Sequence, residues 1–410
     1  MPVGSDGWGG WAMGVRDHEG GSPLMIHAAR PDPEPVVYCR PMASNRATFE
    51  RLLAAGEIDI AAGSLFGRDL GPLSADAARV EGMLLGLAIG DALGRPASGM
   101  VPDARRRQLG ETRDYLPNPQ AGGRAVGLPS DETQLAFWTL EQLVKDGGLR
   151  PHRLMARLAA GRVFGIGPTT REALEAGRVG AMSWERCGLK AAGSGALART
   201  APLLLPHLAR GGRDLWIDVT LATLMTHNDS AAIAAGLGWA ALLWQLLAMD
   251  APPPPEWWGQ TFLEAMTGLE VDPTYRMAGP AFQEVGRGTL GAHLAQALAR
   301  AEAEHWDTAT ACAAWGSSGY LLEALPSVLW ILSRHADDPE AALIRAVNDS
   351  EDSDRIAALV GTAVGALHGR AALPERWVQG LLGRTGAADD GRVFRLLEEA
   401  IQLSGRRIAG

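Results

Sequence analysis

Nineteen consecutive residues, Ala231 to Met249, carry no charged side chain. A run of that length belongs inside a bilayer or inside a protein. Its composition sets it against the bilayer. It is rich in Ala and Gly and only moderately hydrophobic, and its flanks are Asp229 and Asp250 rather than the Lys or Arg that anchor a span. The run therefore predicts a helix at the centre of a large helical protein. The rest of the chain from Asp76 onward agrees. Ala and Leu dominate, β-branched runs are scarce, and apolar residues recur at helical spacing, as with Phe137, Leu140 and Val144. Polar breaks at Gly122-Gly123, Gly165 to Pro168, Gly211-Gly212 and Pro252 to Pro255 separate the segments. The expected fold is an all-α globule with one core.

At 410 residues and 43.3 kDa, the chain exceeds one ordinary compact core. The pattern divides it into residues 1–75, an accessory extension, and residues 76–410, the helical domain. Short apolar runs punctuated by Gly and Pro, such as Pro23 to Ile26 and Val36 to Tyr38, suggest irregular or partly β structure in the extension. One helix is expected there, capped by Ser44, striped by Phe49, Leu52 and Leu53, and ended by Gly56. Gly71-Pro72 marks the break.

A formal net charge of −9 argues against a nucleic-acid-binding surface. Arg105 to Arg107, the one compact basic run, reads as a solvated face. Three dispersed cysteines, Cys39, Cys187 and Cys312, form no Cys-x-x-Cys pair, which fits a reducing compartment. The first ten residues lack the charged-then-apolar pattern of a secretory signal. A cytoplasmic protein without membrane contact is the expectation.

Two short acidic clusters carry the chemistry. Ser130, Asp131, Glu132 and Thr133 precede the apolar stretch Leu135 to Val144. Asp352, Ser353 and Asp354 precede Ile356 to Leu367. Helix starts favour such residues because a side-chain oxygen accepts an orphan backbone N–H, and two ordinary capped helices would account for part of the pattern. One oxygen suffices for a cap, however. The surplus carboxylates repel one another in a packed interior unless protonated or sharing a cation. Magnesium suits an all-oxygen set of this kind.

Taken together, several stretches resemble the ADP-ribosylglycohydrolase family. They are Gly86 to Pro96 with Gly90-Asp91 at the centre, Ser130 to Gln134, Ala192 to Leu197, Ala201-Pro202, Thr226-His227, Ser318 to Tyr320, Val347-Asn348, Asp352 to Asp354, and Leu373-Pro374 with Trp377. They run in family order from about residue 80 to 380. The resemblance implies an all-α fold, a single large orthogonal helical bundle, with two magnesium ions at the bottom of a cleft. It also implies hydrolysis of the bond joining the distal ribose of ADP-ribose to an acceptor, a protein side chain or small molecule. It places Ser130, Asp131, Glu132, Asp352, Asp354 and Arg355 at metal-ligand positions, and Asp131, Glu132 and Asp91 at catalytic ones. Gly127, Gly165, Gly193, Ser194, Gly195, His227 and Tyr320 fall where ADP-ribose would bind. Asp91 could support the metal site or simply cap the next turn. His227 and Tyr320 could equally be packing residues.

Four places depart from the family pattern. Ser194 stands where the family usually has Asn. Glu132 is one methylene longer than the usual Asp. Arg355 stands where the family has Ser or Thr, and an arginine cannot coordinate a cation. It either turns to solvent or takes one metal's place by pairing with a carboxylate. Ser98, with Ala97, stands where many members carry Glu. One magnesium ion instead of two, or a binding-only relative without turnover, are the alternatives these departures raise.

Overall fold

A row of glycines on one helix meets a row of small residues on another, and that contact frames the molecule. In the computed structural model, which describes residues 43–179 and 182–405, the first helix is Ala77–Gly94 and the second Ser353–His368. Gly82, Gly86, Gly90 and Gly94 recur every fourth residue and so share one face. A Cβ on Gly86 would stand 2.1 Å from the Gly361 carbonyl oxygen, and one on Gly361 would stand 2.1 Å from the Gly86 oxygen. A Cβ on Gly90 would reach 2.0 Å from the Ala357 oxygen, and one on Gly94 would reach 2.3 Å from that of Ser353. The partners descend as the glycines ascend, so the helices run antiparallel with their backbones in contact. Each glycine gives up about 1 kcal/mol of helix propensity relative to alanine. The direct approach of two backbones offsets it, as at other small-residue helix crossings.

Around this pair the fold is helical, as expected. The described residues form eighteen α-helices, and their only sheet is an antiparallel ribbon pairing Pro117–Asn118 with Arg124–Ala125. The uncharged run becomes the helix Ser230–Leu246, capped by Asp229 on the N–H groups of Ala231 and Ala232 and buried along almost its whole length. Among the described residues no helix is long and apolar enough to cross a membrane.

Residues 43–405 lie within one compact unit. The helix Asn45–Ala54 forms as expected. The Ser44 hydroxyl accepts the Ala47 N–H, Phe49 and Leu52 are buried, and Gly56 follows with φ of 66°. Asn45 donates to Asp218 Oδ1 at 2.7 Å. On either side of Gly71-Pro72 the chain stays bonded to the body, Leu70 pairing with Gly212 and the Leu73 N–H donating to the Leu208 carbonyl. The strand-like runs Pro23 to Ile26 and Val36 to Tyr38 lie outside the described residues.

The basic run needs correction. Arg106 and Arg107 are exposed, but Arg105 is fully buried. Its guanidinium donates to the carbonyls of Ala97, Met100, Val347 and Ser350 and to the Ser353 hydroxyl. It ties the loop after the first glycine helix to the loop before the second. Sequence spacing cannot distinguish such an arginine from its solvated neighbours, because three of its five acceptors come from chain more than two hundred residues away.

Candidate functional site

Asp91, next to Gly90 on the glycine face, is fully buried and points at the start of the helix Asp131–Asp146. Its Oδ2 accepts the backbone N–H groups of Ser130 at 2.8 Å and Thr133 at 3.0 Å and the Thr133 hydroxyl at 2.5 Å. Its Oδ1 accepts the Ser130 hydroxyl at 2.5 Å. The helix is therefore capped from outside, and Ser130 makes no side-chain cap of its own. Asp352 likewise makes no side-chain cap on its helix. The carboxylates of Asp131, Glu132 and Asp352 are thus free of capping work.

The glycine contact brings the two clusters together. Arg355, one turn into Ser353–His368, reaches across the gap. Its Nε donates to Glu132 Oε1 at 2.6 Å and its Nη1 to Asp352 Oδ2 at 2.7 Å. Of the two fates open to this arginine, pairing is the one adopted, with the side chain 15 % exposed. Asp354 is held by Arg95 Nη1 at 2.9 Å and by the Ser98 hydroxyl at 2.6 Å. Asp131 is buried and lies within ion-pair distance of no Lys, Arg or His among the described residues.

The neighbouring loops close over this cluster. The segment Gly193-Ser194 pairs with Gly319-Tyr320, and Ser194 donates through both its N–H and its hydroxyl to the Gly319 carbonyl. A Cβ on Gly319 would meet Arg355 Nη1 at 2.4 Å, so only glycine leaves the guanidinium room. His227 is buried beneath Gly193 and Gly195, with its Nε2 3.2 Å from where a Gly193 Cβ would stand. Burial, reinforced by the charges of Arg199 and Arg355, lowers its pKa to about 3, so the imidazole stays neutral. Arg199 is buried as well and bonds the Thr226 hydroxyl through Nη2, while its Nε and Nη1 find no partner. Tyr320 is half-buried at the end of the pairing. Gly165, with φ of 76°, lies against the Arg95 guanidinium. Gly127 stands apart. It packs on the Tyr115 ring and bonds the backbone of Gly380 and Leu382.

A cleft of about 550 Å³ opens beside the cluster, with Ser130 and Arg95 in its wall. Gln134 shapes it. Its amide donates to the carbonyls of Arg162 and Thr385 and accepts the Phe164 N–H, which binds two loops to the first cluster's helix. Those loops bring Arg162, Phe164 and Arg384 into the lining, with the Arg384 guanidinium 4.5 Å from the centre of the Phe164 ring. Neither arginine stood out in the sequence. The signal that could have found them was Gln134, a long amide on the buried face of a helix that needs distant partners.

Magnesium demands near-octahedral oxygen ligation at about 2.1 Å. Here the facing oxygens of Glu132, Asp352 and Asp354 are committed to guanidinium or hydroxyl donors. Among the described residues no group of three or more Asp, Glu, His or Cys is arranged to hold a metal ion. As they stand, the side chains do not fit a binuclear magnesium site.

The electrostatics make the cluster sensitive to pH. Burial, then the nearby Asp354 charge, pushes Asp91 up to about 7 against the donors that surround it. Burial also pushes Asp352 up to about 7, opposed by Arg355. Burial drives Glu132 well above the usual carboxylate range. Asp354 is different. Burial raises it, but Ser98, Arg355 and Arg95 together hold it below the ordinary value. In the unfolded chain Asp91 and Asp352 titrate near 3.8, so the folded protein binds more protons between there and about 7. Their stabilisation is complete below the unfolded value and is lost as pH rises through 7. The melting temperature is expected to fall between about pH 4 and pH 7, and Asp352→Asn to flatten that fall. Scanning calorimetry across the range checks it, and a melt that rises with pH would contradict the assignment.

The comparisons agree with this architecture. A family model described as ADP-ribosylglycohydrolase matches residues 73–406. The chain is 27% identical over 315 residues to an ADP-ribosylarginine hydrolase, Tri1, from Pseudomonas putida, covering 73% of each protein. It is 24% identical over 332 residues to Tri1 from Serratia proteamaculans, covering 76% of this chain and 77% of that one. A solved ADP-ribosylglycohydrolase-related protein complex contains a chain with 26% identity and a TM-score of 0.58, over 80% of this chain and 97% of that one. With its family model spanning more than three quarters of the sequence, its fold shared and the family's acidic segments brought together at one cleft, this chain belongs to the ADP-ribosylglycohydrolase family of hydrolases.

Proposed function

We propose that this protein hydrolyses the bond between ADP-ribose and a modified acceptor, with the ADP-ribose unit in the cleft beside Ser130 and Arg95. The observation that carries the reading is the meeting of two distant acidic clusters at the edge of an arginine-lined cleft. Cleavage at the anomeric carbon of ribose passes through a cationic, oxocarbenium-like state, which buried carboxylates stabilise. Asp131, free of any ion pair, is the group available to take a proton from an attacking water. Arg95, Arg162 and Arg384 suit the diphosphate, since guanidinium groups bind phosphate oxygens in pairs. Two relatives bear the name ADP-ribosylarginine hydrolase, so arginine is the proposed acceptor.

The test is release of free ADP-ribose from peptides ADP-ribosylated on arginine or on serine. Arginine-linked peptide is expected to be the better substrate. Asp131→Asn is expected to slow turnover by at least about 100-fold, the lower bound for loss of a general base. Release by Asp131→Asn at the natural rate would remove Asp131 from the chemistry. A second reading is favoured by the engagement of Glu132 and Asp352 with Arg355: a protein that binds ADP-ribose without cleaving it. It predicts saturable ADP-ribose binding by calorimetry with no release from either peptide.

A further inference from the structure

We infer that guanidinium groups occupy the place of the metal ions in this site, so that its acidic clusters are held together without a divalent cation. The inference takes its location from the reading above but is tested without substrate.

Arg355 bridges the clusters as a shared cation would. It lies between Glu132 and Asp352, which come from helix starts 220 residues apart in sequence, and bonds both at 2.7 Å or less. Its planar fork carries a permanent charge and fixed donor directions, which suit two carboxylates on opposite sides. Two of the departures, Glu132 and Arg355, fit one another. The extra methylene of Glu132 carries its carboxylate to the Arg355 Nε, and the glycine at 319 clears the space that the guanidinium fills. A metal ion placed there would have to break two charge-assisted hydrogen bonds and sit against a buried positive charge.

Two more guanidinium groups complete the arrangement. Arg95 takes Asp354 Oδ2 at 2.9 Å. Arg199, 1 % exposed, feels the Glu132 charge and keeps Nε and Nη1 unpartnered. A fully buried arginine with two idle donors is costly unless a neighbouring anion repays it. Glu132 is that anion. Five buried or nearly buried carboxylates, those of Asp91, Asp131, Glu132, Asp352 and Asp354, thus face three guanidinium charges.

Titration of the full-length natural protein with Mn²⁺, followed by electron paramagnetic resonance, tests the inference directly. No saturable site is expected up to millimolar ion. Saturable binding of one or two ions that Asp352→Asn abolishes would overturn it. The double substitution Glu132→Asp with Arg355→Thr restores the family's oxygen ligands. It is expected to bind Mn²⁺ at least about 100-fold more tightly than the natural protein, as removal of a like charge from a cation site implies. A folded double variant with no gain in affinity would also overturn the inference. If that variant does not fold, the titration of the natural protein decides alone. Hydrolysis, if present, should be unchanged by EDTA. Absence of any hydrolysis bears on the proposed function and leaves the metal result standing.

Discussion

Gly86→Ala is expected to cost about 3 kcal/mol or more of stability, at the upper end of what overpacking does in a core. The reason is where the new methyl lands. It would sit 2.1 Å from the Gly361 carbonyl oxygen and 2.8 Å from the Gly361 carbonyl carbon, both backbone atoms of a buried helix. A side chain can rotate away from such a clash, whereas a helix backbone must move as a whole. Moving it would also pull Gly90 off Ala357 and Gly94 off Ser353, the contacts that lead to the site. Alanine's better helix propensity returns only about 1 kcal/mol. The melting temperature should drop by at least about 5 °C, or the cooperative transition should vanish. Gly148→Ala, whose added methyl meets nothing within 4 Å, serves as the control and should melt within about 2 °C of the natural protein. Equal melts for the two variants would show that the helices separate more easily than their contact implies.

Asp91→Ala is expected to damage both stability and turnover. Four donors converge on this carboxylate, two of them backbone N–H groups that cannot rotate toward another acceptor. Leaving those two unsatisfied in a dry interior costs about 2 kcal/mol or more. The effect on turnover follows from position. Ser130 and Thr133 flank Asp131 and Glu132, so loosening their anchor lets both carboxylates drift. Displacement by about 1 Å at a catalytic group costs roughly 100-fold in rate. Asp91→Asn keeps an acceptor for the backbone N–H groups and should recover most of the stability. If Asp91→Asn is instead as unstable as Asp91→Ala, the charge matters more than the acceptors. Denaturant melts and peptide turnover on the same preparations separate the two contributions.

The helical architecture was legible because periodicity and composition are local properties. The central burial of Ala231 to Met249 followed from its lack of charge, and the Asn45–Ala54 helix from Ser44, Phe49, Leu52 and Gly56. The clusters Ser130 to Thr133 and Asp352 to Asp354 were visible as surplus carboxylates. What could not be read was who answers them. Asp91 was expected to support the metal site or cap the next turn, yet it caps a helix 39 residues away. Arg105 resembled its exposed neighbours, yet it is buried against carbonyls from the far end of the chain. Arg355 left two outcomes open because its pairing depends on how closely Glu132 approaches, a tertiary distance with no local signature. Arg199 gave no signal, since a buried unpaired guanidinium looks the same in sequence as a surface one. Gly86 and Gly90 entered only as pieces of a family motif, although Gly82, Gly86, Gly90 and Gly94 repeat at the interval that marks a helix crossing.

Backbone atoms in contact, at Gly86 with Gly361 and Gly90 with Ala357, fix the second acidic cluster against Asp91, which in turn anchors the first. A frame of that kind tolerates a change of filling. If guanidinium fills the gap as inferred, substitutions at residues 132 and 355 exchange an inorganic filling for an organic one across the same helix contact. The substituted protein then no longer depends on the supply of metal around it.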